Sequence, residues 1–349
     1  MQFNPFCFIL KNKVMKKYQI FVGIDVSKSK FDYCIVSDIS SQKHEFGVAA
    51  NNQKAIRKFI SGLQKKFKDV SGILFCMENT GVYSMPLCYE LQSAGADYWV
   101  ASGLEIKRSR GIIRGKSDKT DALCIAMYSV SHLHLLKLSE LPEADFAELR
   151  LLLAEREKLV KALGMFSTTK EANEFLPKLI LKSTLTNNTA TLKYLNRQLK
   201  DIESLLDELI ERNETFKKQS QLLKSVPGIG KQTAISMIAY TQAFTLFKNH
   251  RQFACYCGVA PFEYQSGSSI RGKTKVSPLA NKKMKTLLNM AALSAKKCDA
   301  EMKIYYERKV AEGKNKMLVI NNLRSKIISR AFAVINRDSP YVNTLKAFA

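Results

Sequence analysis

Between residues 18 and 137, apolar runs and helix-period segments follow one another in an order that leaves few folds open. Residues 19–26 (QIFVGIDV) read as an apolar strand, and residues 30–37 (KFDYCIVS) as a second after a short turn. Residues 43–48 offer a third strand. Ala55, Ile56, Phe59, Ile60, Leu63 and Phe67 then recur at helical spacing across residues 51–67. Residues 72–77 (GILFCM) read as a short buried strand, residues 82–94 as a helix with Pro86 in its first turn, and residues 96–101 as another strand. Residues 102–117, basic and glycine-containing, are expected to form a loop, and residues 118–136 a helix. Three strands followed by alternating helices and strands imply a mixed sheet with helices on its faces.

The remainder of the chain reads as helical. Leu192, Leu195, Leu199, Ile202, Leu206 and Leu209 alternate steps of three and four, an a/d seam that suits either an antiparallel hairpin folded on itself or a coiled-coil arm joining protomers. Pro177 breaks any single long helix. Around residues 222–239 a helix runs into Pro227-Gly228-Ile229-Gly230 and a second helix begins at Lys231, the helix-hairpin-helix pattern. Glycines there let the backbone approach a phosphate, and the free N–H groups of the second helix can bind it. The plain alternative is a corner between helices with no ligand. The expected class is thus α/β plus all-α. It comprises a mixed-sheet domain at 18–137, helical coiled-coil residues at 138–220, and a mostly helical domain at 221–349.

Charge narrows the partners. The 349 residues hold 55 Lys+Arg against 31 Asp+Glu, a net +24, and residues 221–349 carry two thirds of that excess. No acid occurs between Glu263 and Asp299, while Arg271, Lys273, Lys275, Lys282, Lys283, Lys285, Lys296 and Lys297 do. A polyanion is the natural neutraliser, and nucleic acid gains affinity by releasing counterions. The interleaved Gly267, Gly272 and Pro278 suggest a shaped basic loop and not a surface helix. No apolar run approaches the roughly 18–20 residues of a spanning helix, so no membrane is expected. Neither is a secretory leader, and Met15 is an alternative start to Met1. The eight cysteines form no CxxC pair, and only four histidines are present. A reduced cytoplasmic setting is the simplest reading.

Four acids carry the chemistry. Asp25 lies near the end of the first strand, and Glu78 directly follows the buried run GILFCM. Asp118 and Asp121 stand three apart at a predicted helix start, on one face. Each has a structural reading alone, as turn former, helix-start charge or cap. Acids converging from separate elements commonly hold Mg²⁺ or Mn²⁺ through oxygen ligands. Two such ions about 3.5–4 Å apart clamp the attacking and leaving oxygens of a phosphodiester.

The motifs GIDVSK, MENTG and KSDKTDA, with SVPGIG, FACYCGVAP and QSG downstream, resemble the IS-one-ten family of insertion-sequence transposases. The resemblance extends from about residue 20 to 340. It implies a RuvC-like, RNase H-fold DEDD domain in which Asp25, Glu78, Asp118 and Asp121 are the metal-binding acids. It also implies a catalytic serine in the C-terminal domain, a structured guide (bridge) RNA selecting element-end and target DNA, and a homo-oligomer, dimer or tetramer, in which domains of different protomers meet. Ser266, in a polar turn beside the basic run, is the serine expected, with Ser268, Ser269 and Ser277 as competitors. Its hydroxyl needs activation, and Arg271 and Lys273 are placed to neutralise phosphate charge. The expected nucleic-acid contacts are Pro227, Gly228, Gly230, Lys231, Arg271, Lys273, Lys275, Lys282 and Lys283.

The expectation is therefore a transposase that cuts and rejoins DNA by metal-assisted serine attack. Two rivals stand beside it: a RuvC-like junction endonuclease with water as nucleophile, and a non-catalytic DNA-binding protein. An actin-like ATPase, suggested by the strand–GID start, would need a second glycine-rich phosphate loop, and the sequence offers none.

Overall fold

The computed structural model describes residues 18–37, 44–68, 70–111, 117–172, 178–266 and 270–343. Contacts divide the chain into two compact units, residues 1–142 and 143–349.

The first unit is built on five strands: β1 (Ile20–Val26), β2 (Lys30–Val36), β3 (Glu45–Ala50), β4 (Ile73–Glu78) and β5 (Asp97–Ala101). Their spatial order is β3-β2-β1-β4-β5. β1 pairs antiparallel with β2, and β2 antiparallel with β3, whereas β1–β4 and β4–β5 are parallel. This is the mixed sheet expected from the sequence. Central β1 is apolar on both faces because both are covered. Val22, Ile24 and Val26 join Phe31, Phe75 and Met77 beneath helices α1 (Gln53–Phe67) and α2 (Met85–Ser93). Phe21 joins Cys34, Leu74, Cys76 and Trp99 on the opposite face, beneath α3 (Gly103–Ser109) and α4 (Asp118–Ser131).

Local chemistry fixes these helices. The Asn52 side chain caps α1 by accepting from the Ala55 N–H at 3.0 Å, and Ile56, Phe59, Ile60 and Leu63 make its buried stripe. Ser117 caps α4 by accepting from the Thr120 N–H at 3.2 Å. Gly23 has a specific reason. A Cβ there would overlap the backbone of Ala122 and Ala126, so its absence lets α4 lie directly on β1.

One expectation fails here. Residues 103–109 are helical and not a loop. Ile106 is buried, Glu105 occupies the first turn, and Lys107 and Arg108 the last, the charge order a helix dipole favours. Residues 112–116 lie outside the described residues.

The second unit begins with two long helices, α5 (Ala144–Ala172) and α6 (Lys178–Arg212). Arg156 meets Glu203 at 2.8 Å and Arg212 meets Asp145 and Glu148 at 2.9 Å, so the two run antiparallel. Leu206 and Leu209 of the heptad seam are buried in the same core as Leu149. That core continues through α7 (Glu214–Lys224), α8 (Lys231–Thr241), α9 (His250–Tyr256), α10 (Lys282–Cys298), α11 (Ala300–Ala311) and α12 (Lys316–Arg337). A two-stranded hairpin, β6 (Pro261–Ser266) and β7 (Ile270–Val276), interrupts the helices. The basic run expected to be one loop is therefore split. Arg271, Lys273 and Lys275 lie on β7, while Lys282, Lys283, Lys285, Lys296 and Lys297 lie on α10. Asn281 makes the switch by capping α10, accepting from the Met284 N–H at 3.0 Å. Among the described residues no helix is long and apolar enough to cross a membrane.

Candidate active site

The parallel pairing of β1 and β4 puts their C-terminal ends at one edge of the sheet. Asp25 is next to last in β1 and Glu78 is last in β4. Asp25 alternates with Phe21 and Gly23 on the face that α4 covers. The close approach allowed at Gly23 brings the first turn of α4, with Asp118 and Asp121, to the same edge. The carboxyl of Asp25 registers this crowding. Half-burial pushes its pKa up first, and the negative charges of Asp121, Asp118, Glu78 and Asp32 push it further. The four acids predicted from the sequence thus share one electrostatic neighbourhood.

Asp32 is a fifth member, missed in the sequence reading. It lies directly across from Asp25 in the β1–β2 register and is 6% exposed. Counting back along β2 from the short turn at residues 27–29 would have placed it there. Two cations hold the cluster. The Lys30 ammonium bridges Asp32 at 2.8 Å and Asp118 at 2.9 Å, and these partners hold its pKa well above the usual lysine value. Arg110, just beyond α3, donates to Asp121 at 2.5 Å. Neither cation was singled out from the sequence, because only the fold brings them to the acids.

The turns at this edge are built tightly. Asn51 Nδ2 donates to the Ser27 and Tyr83 carbonyls, at 2.9 Å each, tying the β1–β2 turn to the turn after Glu78. Asn79 Oδ1 accepts from the Gly81 N–H at 3.1 Å, and Gly81 turns with φ +68°. A Cβ on Gly103 would overlap the Glu78 carboxylate, so glycine keeps that side open. Asn51 Oδ1, Thr80 Oγ1 and Arg110 Nε are buried without a hydrogen-bond partner, all on segments that carry or hold the acids. Orphaned polar atoms beside crowded carboxylates suit a hard divalent cation and its water shell in chemistry. In geometry, no three acidic, imidazole or thiol groups among the described residues close around one point at coordinating distance. With Lys30 and Arg110 drawing three of the acids to themselves, the site is assembled but not closed into a coordination sphere.

In the second unit Ser266 is the last residue of β6, opposite Ile270. Ser268 and Ser269 lie outside the described residues. The Ser277 hydroxyl accepts from the Leu279 N–H at 3.1 Å, an ordinary turn-forming role. Lys231 pairs with Asp207 at 2.6 Å and Lys283 pairs with Glu157. Pro227 and Gly228 make the turn between α7 and α8. Gly228 has φ +90°, and a Cβ there would meet Ala291 and Ala295 of α10. The demand for glycine at 228 is therefore internal packing. Gly230 is different: it precedes α8 with no side-chain cap and with open space around it.

Two antiparallel and two parallel pairings in this order, with the candidate acids gathered where β1 and β4 end, define an RNase H-like fold. The transposase DEDD family model matches residues 22–176, and that of the Transposase IS116/IS110/IS902 family matches residues 220–307. The chain belongs to this family of insertion-sequence transposases. It is 27% identical over 327 residues to the pilin gene-inverting protein of Moraxella bovis, covering 92% of this chain and 97% of that one. It is also 27% identical over 158 residues to a protein of insertion element IS110 from Streptomyces coelicolor, covering 45% of this chain and 38% of that one. The Thermus thermophilus RuvC structure matches at 11% identity and a TM-score of 0.26, over 35% of this chain and 99% of RuvC.

Proposed function

We propose that the protein cuts and rejoins DNA at the ends of an insertion element. In this reading Asp25, Glu78, Asp118 and Asp121 form the acidic half of the site and Ser266 supplies the nucleophile. The observation that carries it is the crowding of Asp25 by four further carboxylates, Asp121, Asp118, Glu78 and Asp32, at one sheet edge. Such repulsion in a half-buried place costs stability, and carboxylates crowded in this way concentrate at functional sites.

A divalent ion, when bound, neutralises the acids and polarises the scissile phosphate. The chain's own residues do the rest. Asp25 and Glu78 are fixed by rigid strands, while Asp118 and Asp121 ride on the capped first turn of α4. The Ser266 oxygen forms a new P–O bond as one bridging oxygen of the linkage leaves, taking up the proton the serine gives up. Phosphodiester bonds are conserved in number, so rejoining needs no outside energy source. Lys273, Lys275, Lys282 and Gly230 offer charge and free N–H groups to the backbone of the nucleic acid. A guide RNA and a homo-oligomer complete the reading, consistent with the basic excess in residues 221–349. The Moraxella bovis relative is named for inverting a pilin gene, a DNA rearrangement that this reading accommodates.

The test is to mix the protein with element-end DNA, Mg²⁺ and co-purified RNA, and to map covalent DNA–peptide adducts by mass spectrometry. An adduct on Ser266, lost in Ser266→Ala and in Asp25→Asn, is expected. A second reading, hydrolysis by water as in a junction endonuclease, is favoured by one fact: all the acids lie in the first unit, complete without Ser266. Normal cleavage by Ser266→Ala would select it.

A further inference from the structure

The hairpin β6–β7 and the end of α9 enclose a groove of about 860 Å³. Tyr256, Phe262, Lys273, Lys275, Pro278 and Leu279 line it. Its apolar members are not hidden. Phe262 is 49% exposed and Leu279 61%, beside Tyr256 at 36%. A cluster of large apolar side chains at an open groove marks a binding surface more often than chance.

Tyr256 is a fixed wall. Asn281 donates its backbone N–H to the Tyr256 carbonyl and its amide to the Tyr256 hydroxyl, each at 2.8 Å. The ring stacks on Phe253 at 6.0 Å and packs against Phe247 at 5.3 Å. Such a surface loses little freedom when a flat ligand lies on it. Lys273 and Lys275 stand two apart on β7 and have no carboxylate partner among the described residues. Glu263, also on the groove, adds one acceptor. Aromatic faces for a planar ring, two cations for phosphates and one carboxylate for an exocyclic amino group together match a nucleotide. A lipid or an aliphatic peptide would use neither the flat platform nor the carboxylate.

We infer that this groove receives one unpaired base of a DNA strand, stacked on Phe262 against Tyr256, with neighbouring phosphates on Lys273 and Lys275. A base stacked within a duplex has no free face to offer these rings, so the base must leave the stack. The assignment to DNA rests on the strand-exchange reading above. Phe262 and Ser266 share β6, four residues or about 13 Å apart along a strand, so a base held here belongs to the strand presented to Ser266.

The test uses the full-length protein without divalent ions, so that no chemistry intervenes. The probes are a DNA duplex carrying a single unpaired 2-aminopurine, the same duplex fully paired, and an RNA duplex with the same bulge. Quenching of 2-aminopurine on binding and tighter binding of the bulged DNA are expected. Phe262→Ala should weaken the bulged DNA about 5- to 100-fold and leave the paired duplex unchanged, while Phe262→Trp restores both affinity and quenching. Lys273→Gln and Lys275→Gln should each lower the salt slope by about one. Because Phe262 is half exposed, its removal leaves the fold intact, checked by circular dichroism. Equal binding of bulged and paired DNA by wild type, indifference to Phe262→Ala, or preference for the RNA bulge overturns the inference. If wild type binds no DNA at all, the strand-exchange reading falls with it, whereas DNA binding without Phe262 dependence removes the groove alone.

Discussion

Asp25 and Asp32 face each other directly across the β1–β2 pair, two carboxylates where a sheet ordinarily sets an apolar or oppositely charged couple. Like charges in directly opposed positions destabilise a sheet by about 0.2–1 kcal/mol. Lys30 answers Asp32, and Asp25 is left to its acidic neighbours. The raised pKa of Asp25 means its charge opposes folding above that value and ceases to as pH falls through it.

Asp25→Asn is therefore expected to raise the melting temperature of the metal-free protein by a few degrees, about 1–4 °C for a domain of this size, while abolishing strand cleavage. Trp99, the chain's single tryptophan, is buried in β5 and reports the first unit by fluorescence. A lowered melting temperature with cleavage retained would contradict the role given to Asp25.

Lys30 and Arg110 occupy the charge that a divalent ion would take over. Lys30→Ala should lower metal-free stability and enlarge the rise in melting temperature on adding Mn²⁺ or Mg²⁺. Equal rises in wild type and variant would show that the lysine and the ion do not compete for Asp32 and Asp118.

Gly23 and Gly228 are packing glycines, and their substitution should be felt as strain. Gly23→Val drives a side chain into the backbone of α4, with an expected cost of about 1–3 kcal/mol and loss of cleavage as Asp118 and Asp121 move. Gly228→Ala should destabilise the second unit through both its φ of +90° and its contact with α10. Gly230→Ala should leave stability almost unchanged and weaken nucleic-acid binding if the start of α8 meets phosphate. Urea unfolding by circular dichroism and a filter-binding assay separate the two effects.

Glu90 gives a pH signature away from the acids. Hydrogen bonds from Arg57 at 2.7 Å and Gln53 at 2.8 Å hold its carboxyl below the usual value. A lowered carboxyl pKa contributes stability that is present above about pH 4.3 and is lost as pH falls toward the folded-state value. Arg57→Leu should move the acid-unfolding midpoint, followed by Trp99 fluorescence, to higher pH. An unmoved midpoint would show the pair to be neutral for stability.

The sheet was legible because its strands are apolar runs bounded by turns, Asp25 and Glu78 because each sits where such a run ends, and Asp118 and Asp121 because they open a helix. What could not be read was anything decided by register or by helix approach. Asp32 looks like a surface residue in a strand of partial alternation until β2 is set against β1. Arg110 fell in a stretch taken for a loop, since one buried Ile106 in seven residues leaves no periodicity to detect. The hairpin β6–β7 was hidden by its lysines, which mask the alternation a strand ordinarily shows. The glycine of PGIG invited a phosphate, yet at position 228 it makes room for a neighbouring helix.

The antiparallel clasp of α5 and α6 has a consequence for how copies of the chain could meet. Leu206 and Leu209 already bury themselves against their own polypeptide, so that end of the seam has no zipper left to offer a second molecule. Leu151, Val160 and Tyr194 are instead outward side chains, exposed and open to association through the arm. Folding and assembly of the arm are for that reason governed by different residues, and a polar change at Leu151 or Tyr194 can dissolve one without undoing the other.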